Sequence, residues 1–597
     1  MSKAKTARKN GPGQDKSKGE KSHGARGNRA HPHRDGLIMV PLGGCGEIGM
    51  NLTMYGAQGK WLMVDCGMTF ADENLPGVDI VVPDPTFAEA EAEDILGLVI
   101  THGHEDHLGA VHHLWRRFRC PVYATPFAAE LLMGKFKEAG IEDDVDLRIV
   151  TGEDPLELGP FRVTMIGLTH STLEMMALAI ETPHGTLLHT GDWKFDATPM
   201  LGPASDEAAL RAWADKGIRA LVCDSTNVFS PGVSGSEGDV RAELTEVVKA
   251  RKGGRVIITT FASNVARLES AAHAARESGR HFALVGRSLW KFYEAARKVG
   301  YLANIEEPLN DKEAAAMPRD KVLLLCTGCQ GESRGAMARI ANDDHPQINL
   351  TKGDVVIFSS KIIPGNDRTL YQLHNQLALN QIEVVTEKDR GVHVSGHPSR
   401  DELRRMYDIV KPEMVIPVHG EARHLIEQAR FSVKECGVPE AHLVLNGDML
   451  QLGPGTPKKV GEVPVGRLAV DASGLVLTAA SMLQDRRRLS NNGAAMIVLV
   501  VDEDSELIED PRISLIGIAE GKEHGDLIAD AERAIERELG KINGRRPADD
   551  DAIAQAAVRA LRKVIRQANG RRPITECEVV RLEVGERVAA DKWKEAV

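Results

Sequence analysis

From Leu37 onward the chain alternates short apolar runs with glycine-punctuated turns. Leu37–Leu42, Trp61–Cys66, Ile95–Thr101, Val122–Ala124, Arg162–Ile166 and Leu187–Thr190 have the length and composition of strands. Leu108–Phe118 and Pro126–Ala139, between them, space their apolar residues as helices do. The pattern predicts an α/β or α+β fold with helices packed on sheets. A second alternation follows, in which Ala220–Asp224, Arg255–Thr260, His281–Val285, Lys321–Thr327 and Asp354–Ser359 are almost continuously apolar. Such strands belong to a parallel sheet buried on both faces. With the helices Val240–Ala250 and Asn264–Glu277 they predict a separate domain at residues 207–385. Gly453–Pro464 reads as a linker. Beyond it, strands at Ala494–Val501, Ile513–Ala519 and Cys577–Val584 and helices at Leu527–Leu539 and Ala552–Ala568 predict a small terminal α/β domain.

Length agrees with several cores, since 597 residues correspond to about three or four domains of ~150 residues. No apolar run approaches the roughly 18 residues that span a bilayer, so no membrane partner is expected. Eight cysteines scattered along the chain argue against a disulfide framework and point to a reducing cytoplasm. The net charge of -12 does not itself suggest a nucleic-acid partner. Its distribution changes that picture, because residues 1–35 carry ten Lys and Arg against three acidic residues. This segment is expected to be a disordered basic tail, serving either as an RNA-attracting arm or as a solubility tail. Its His23, His31 and His33 have nothing around them to fix a ligand geometry.

The chemistry concentrates in His102-Gly103-His104-Glu105-Asp106-His107, between an apolar strand and an amphipathic helix. In an extended segment His102 and His104 project to one side, while Asp106 and His107, at the turn into the helix, can face a neighbouring ion. Imidazole and carboxylate suit Zn²⁺, and a catalytic site keeps a position for water. Four ligands cannot complete two sites. His170, Asp192 and His419 each follow an apolar strand and supply the missing count. Asp65 occupies a similar strand end, either as a further ligand or, as a carboxylate, orienting a ligand histidine. His112 and His113 fit a surface or packing role on the following helix. Cys326-x-x-Cys329 has no second CxxC and reads as a structural loop. Gly43–Gly49 lacks the Lys-Ser/Thr of a phosphate loop and reads as a strand turn.

This set resembles the metallo-β-lactamase superfamily, which implies an αβ/βα sandwich with metals at one edge. The resemblance implies one zinc on His102, His104 and His170, a second on Asp106, His107 and His419, and Asp192 bridging the two, with manganese as the alternative ion. The long interval between Asp192 and His419 resembles a β-CASP insertion. It divides the first domain into residues 36–206 and 386–452, followed by a linker at 453–469 and an assembly domain at 470–597. Gly43–Gly49, Ser225–Asn227, Thr260–Asn264, Cys326–Gly328, Ile363–Asn366, His393–His397 and Pro417–Glu421 together resemble the ribonuclease J family.

That resemblance implies RNA contacts at Phe261, Ala262 and Ser263 and at His393, Val394, Ser395, Gly396 and His397. It places Asp224 and His397 at the reaction centre, and makes the terminal domain the means of assembly into a homodimer or homotetramer. It further implies a zinc-dependent ribonuclease acting on single-stranded RNA from a 5′-monophosphate end with additional internal cleavage, in RNA processing and decay with RNA-decay proteins as partners. In the mechanism expected, Asp192 orients the attacking water, His397 clamps phosphate, and Asp224 or His397 donates the proton to the departing 3′ oxygen. Three positions depart from the family pattern: His170–Glu174 lacks a Pro-Asp pair, Ala266 replaces a common histidine, and Cys329 replaces a serine. A β-lactamase or thioesterase would need no long insertion. A DNA-processing β-CASP nuclease is a closer alternative, and an inactive RNA-binding scaffold should have lost ligands, which this chain has not.

Overall fold

The computed structural model describes residues 36–72, 74–363, 365–472, 474–542 and 548–582. The expectations for the basic tail, for Pro364 within Ile363–Asn366 and for the last two residues of Cys577–Val584 lie outside that set.

Among the described residues, eight strands form one sheet in the order Lys458–Glu462, Asp448–Gly453, Leu37–Gly43, Leu52–Ala57, Lys60–Val64, Ile95–Val99, Val122–Ala124, Leu147–Ile149. Seven form a second, in the order Leu156–Leu158, Phe161–Gly167, Met176–Thr182, Gly185–His189, Ala220–Asp224, Met414–Val418, Glu440–Ala441. Side-chain alternation explains how they stack. Ile38, Val40 and Leu42 join a core with the helical residues Val111, Leu114, Phe118 and Phe136, whereas Leu37 and Met39 join Phe161, Val163, Ile180 and Val222 of the other sheet. The far face of the second sheet is covered by Leu210, Trp213, Leu403, Met406 and Phe431 from helices. The layers are therefore helix, sheet, sheet, helix, and because both faces of each sheet are buried the strands read as continuous apolar runs.

A five-stranded parallel sheet, ordered His281–Val285, Val322–Cys326, Val256–Thr259, Val355–Phe358, Glu383–Val385, forms the inserted body. Separate apolar clusters cover its two faces. The terminal unit has a three-stranded sheet, Arg512–Ile516, Ala494–Val501, Ile574–Arg581, packed on the helices Gly521–Ile542 and Asp550–Asn569. None of the helices among the described residues is long and apolar enough to cross a membrane.

Two expectations need correction. Ala220–Asp224 is not in the inserted sheet; it pairs in parallel with Gly185–His189 and with Met414–Val418 in the seven-stranded sheet. A doubly buried parallel strand has the same composition in either sheet, so its pattern could not distinguish them. The stretch at 453–469 is not a free linker. Asp448–Gly453 and Lys458–Glu462 form an antiparallel pair at the edge of the eight-stranded sheet, and Arg467–Asp471 pairs with Ile80–Pro83. The helix Ser481–Asn492 then buries Leu483 beside Met50, Leu75, Val81 and Ala469. The strand Arg467–Asp471 and the helix Ser481–Asn492 therefore pack on the first body rather than starting an independent one. The glycines, prolines and charges of the segment reflect a solvated edge strand.

Candidate metal and RNA site

The site lies where strands of both large sheets end. Ile95–Val99 leads into His102, His104 and the short helix Glu105–Leu108, which contains Asp106 and His107. His170 follows Phe161–Gly167, Asp192 follows Gly185–His189, Asp224 ends its strand, and His419 follows Met414–Val418. Pairing of Asp224 with Val418 sets Asp224 next to the His419 turn. Ligand sites at the carboxyl ends of strands are the rule where parallel strands open onto loops.

The backbone here is tightly determined. Asp65 and His419 both adopt positive φ, 60° and 53°, a cost tolerated where surrounding contacts over-determine the conformation. The Cys66 amide donates to the His107 carbonyl at 2.7 Å. A Cβ at Gly67 would stand 1.7 Å from the Asp106 carbonyl oxygen, so only glycine lets these segments approach.

Asp192 Oδ2 is the geometric centre of the cluster. It lies 3.1 Å from His107 Nε2, 3.3 Å from His419 Nε2, 3.9 Å from His170 Nε2 and 4.0 Å from His102 Nε2. His104 Nδ1 is 3.1 Å from the Nε2 atoms of both His102 and His170. Asp106 Oδ2 is 3.6 Å from His419 Nε2 and 3.8 Å from His107 Nε2. Ligand atoms around one tetrahedral zinc at ~2.0–2.2 Å stand about 3.3–3.5 Å apart, so both histidine groups fit a divalent ion. Both Asp192 oxygens are buried without a hydrogen bond among the described residues, a costly state for a carboxylate unless a cation meets it. His102, His104, His170 and Asp192 form one possible ligand group, and Asp106, His107, Asp192 and His419 a second.

Neighbours fix the rings. His170 Nδ1 donates to the Gly396 carbonyl at 2.7 Å, and His107 Nδ1 to Asp65 Oδ2 at 2.7 Å. His419 Nδ1 donates to Asn51 Oδ1 at 3.0 Å. Thr101 donates its hydroxyl to the Asp65 carboxylate and accepts from His102 Nδ1 at 2.9 Å. In these four rings Nδ1 meets an outer partner and Nε2 faces the cluster, the arrangement that outer contacts impose on ligating histidines, although the Asn51 side-chain amide also lies 3.1 Å from His107 Nε2. Of the two roles open to Asp65, the geometry shows it holding His107 and outside both ligand groups. Asn51, which also donates to the Asp106 carbonyl at 3.0 Å, was missed; its only signal is its place after the glycine-rich loop. That loop is a turn between Leu37–Gly43 and Leu52–Ala57, as its pattern suggests.

Burial pushes His102 and His170 well below the ordinary imidazole range, and His104 down to about 4. Burial also depresses His107, but the carboxylates of Asp192, Asp65 and Asp106 outweigh it and raise the group. Burial would raise Asp192, yet His107 and His419 hold it well below the usual carboxylate range. His397 donates from Nδ1 to Asp224 Oδ2 at 2.8 Å and lies 3.9 Å from Asp192 Oδ2. Burial opposes its protonation, but Asp224 prevails and brings it up to about 9.

The two loops expected to touch RNA stand differently. His393–His397 lies directly on the site: a Cβ at Gly396 would be 2.8 Å from His170 Cε1 and 2.7 Å from Ser171 Oγ. Asn227 anchors it by donating to Ser395 Oγ at 2.7 Å and to the His397 carbonyl at 3.1 Å. Phe261, Ala262 and Ser263 follow Val256–Thr259 and are half-exposed. They join the site through Thr260, which donates to the Ser359 carbonyl, and Ser359, which donates to the Val392 carbonyl. Two of the three departures share one place: His170–Glu174 and Ala266 line a cavity of about 270 Å³ with Tyr301. Cys329 is buried elsewhere, and burial raises its thiol and that of Cys326. His112 and His113 stack on each other on the helix Val111–Phe118, outside the ligand groups.

A two-sheet sandwich with this histidine and aspartate cluster, interrupted by a parallel α/β insertion, defines a metallo-β-lactamase-type hydrolase of the β-CASP class. Residues 48–222 match the metallo-beta-lactamase superfamily, 253–377 the ribonuclease J beta-CASP domain, 381–438 a Zn-dependent metallo-hydrolase RNA specificity domain, and 481–582 the ribonuclease J C-terminal domain. The chain is 40% identical over 528 residues to ribonuclease J of Sinorhizobium meliloti, covering 87% of this chain and 93% of that protein. Against ribonuclease J of Mycobacterium tuberculosis it is 36% identical over 526 residues, with the same coverage of each. A solved structure of a protein of unknown function from Enterococcus faecalis shares the fold at TM-score 0.50 and 15% identity, over 70% of this chain and all of that one. The chain belongs to the ribonuclease J family and is a metal-dependent ribonuclease.

Proposed function

We propose that this ribonuclease holds two zinc ions and degrades single-stranded RNA from the 5′ end, favouring a 5′ monophosphate, with additional internal cleavage. Assembly as a homodimer or homotetramer in the cytoplasm completes the reading. The observation that carries it is the position of Asp192 Oδ2, central to both histidine groups and 3.9 Å from His397. His102, His104 and His170 would hold one ion, Asp106, His107 and His419 the other, and Asp192 would bridge. Divalent ions bound there supply Lewis acidity and acidify water near neutral pH.

The chain's own groups do the rest. Asp192 orients the attacking water against the scissile phosphate. Asp224 occupies His397 Nδ1 and leaves Nε2 to hold a phosphoryl oxygen and then to protonate the departing 3′ oxygen. Asp224, fully buried behind the ring, acts on His397 rather than on the leaving group. For the 5′ end, His393 supports a phosphate seat: besides burial, Arg267, Lys194 and Lys361 around it depress its protonation. Of these, Arg267 and Lys194 are paired with buried carboxylates, whereas Lys361 is exposed and offers charge to a monophosphate, and a closed seat disfavours the bulk of a triphosphate.

The test compares RNAs labelled at 5′ monophosphate, triphosphate and hydroxyl ends, with and without chelator, alongside matched DNA. Mononucleotide release fastest from the monophosphate end is expected. Equal rates on all three ends with only internal fragments, or trimming from the 3′ end, would defeat the polarity; DNA hydrolysed as fast as RNA would favour the DNA-nuclease alternative.

A further inference from the structure

A buried ionic chain runs between the segment carrying Asp192 and the segment carrying His397. Lys194, fully buried two residues after Asp192, lies 3.1 Å from Asp196 Oδ2 and donates to the Gly235 carbonyl at 3.2 Å. Asp196 in turn accepts from the Glu237 amide at 2.9 Å and the Ser236 hydroxyl at 2.6 Å. The Glu237 carboxylate receives Arg267 in a fork, with contacts of 3.0, 3.0 and 3.2 Å. Arg267, with no exposed surface, uses its other amino group on the Ser359 carbonyl at 3.0 Å, the Ser359 hydroxyl and the Val392 carbonyl at 3.2 Å. Val392 immediately precedes His393. At the other end, the Lys194 amide donates to the Thr169 carbonyl at 2.8 Å, and Thr169 Oγ1 donates to the Lys194 carbonyl at 2.7 Å. Thr169 immediately precedes His170.

Two cations and two carboxylates thus cancel in a space withdrawn from water. Burying them is expensive, and apolar groups of the same volume often stabilise a fold as well or better. What the charged set supplies is a unique geometry, because the planar guanidinium fork admits one arrangement of carboxylate and carbonyl partners. Its ends fasten the backbone beside His170, Asp192 and His393.

We propose that Arg267 is a positioning residue for the reaction: paired with Glu237, it holds the 392–397 segment in register with the metal ligands, so that Gly396 meets His170 and His397 meets the substrate phosphate. The proposal rests on the reading of His397 given above.

The test uses the full chain with its metals restored. In the charge-deleted pair Arg267→Met with Glu237→Leu, no buried charge is left without its partner. The expected result is an unchanged melting temperature, unchanged metal content and unchanged KM for RNA, with kcat reduced roughly tenfold to a hundredfold, the penalty of a misplaced group. In Arg267→Ala, millimolar guanidinium should recover part of kcat, which a merely structural defect would not show. Wild-type kcat in the double variant would overturn the proposal, as would a kcat loss fully accounted for by lost metal. His397→Ala, run in parallel, separates the two readings: full activity there sinks the role of His397 itself, whereas activity lost there but kept in the double variant sinks only the positioning role of Arg267 and Glu237.

Discussion

The two histidine groups that share Asp192 are built on different principles. The His102, His104 and His170 group is poor in charge: burial pushes its imidazoles down, and His170 meets the distant part of the chain at the Gly396 carbonyl and the His397 ring. The Asp106, His107 and His419 group is rich in carboxylate, held from within the sandwich by Asp65 and Asn51, with Asp106 partly exposed. One site therefore depends on the 392–397 segment that follows the inserted body, and the other on Asp65 and Asn51 near the start of the sandwich.

Loss of the shared group should have the largest effect. Asp192→Asn is expected to abolish hydrolysis and lower the content of both metals while RNA still binds; turnover at the wild-type rate would remove Asp192 from the mechanism. The outer contacts should then separate the groups. Gly396→Ala, which forces a Cβ against His170, should weaken metal binding at the first group by about tenfold to a hundredfold, and Asn51→Ala should do the same at the second. Metal titration followed by spectroscopy of a cobalt-substituted protein distinguishes the two; equal losses at both sites in either variant would erase the contrast.

Acidity offers a milder probe. In chelator-treated protein the first group is already neutral at pH 7, so its metal affinity should change little between pH 7 and pH 5. His107 is raised by its carboxylates and must release a proton to ligate, so affinity at the second group should fall as pH falls. Proton release measured during stepwise metal addition checks this. The smallest effect is expected from deleting residues 494–597, which should leave metal content and the melting transition of the sandwich nearly unchanged while lowering self-association. A cut after Leu452, by contrast, strips the paired strands Lys458–Glu462 and Arg467–Asp471 and should destabilise the sandwich.

The sequence made the metal box conspicuous because its ligands are nearly contiguous, and His170, Asp192 and His419 stood out because each follows an apolar run. The structure gathers the other six around the Asp192 carboxylate. Asn51 was invisible for the opposite reason: asparagine is common in loops, and its contacts reach 55 and 368 residues away. The ionic chain through Arg267 was equally hidden, since burial of a charged residue depends on partners that no local pattern records. Strand periodicity located Ala220–Asp224 but could not say which sheet it enters, and glycine with proline concealed an edge strand in what looked like a connector.

The place of Ala220–Asp224 in the seven-stranded sheet has an evolutionary meaning. That strand and its parallel neighbour Met414–Val418 require a crossover in any case, and the helix Arg400–Val410 just before the second strand packs against the helix Glu207–Lys216 on the outer face. The whole inserted body is thus an enlargement of a single crossover connection. Such a connection can lengthen, shorten or be exchanged while the strand pairing that sets Asp224 beside His419 is preserved. A change in that excursion needs no rebuilding of the metal ligands, but the same excursion also carries Gly396 and His397, so the chemistry is kept only where its returning end still reaches the site.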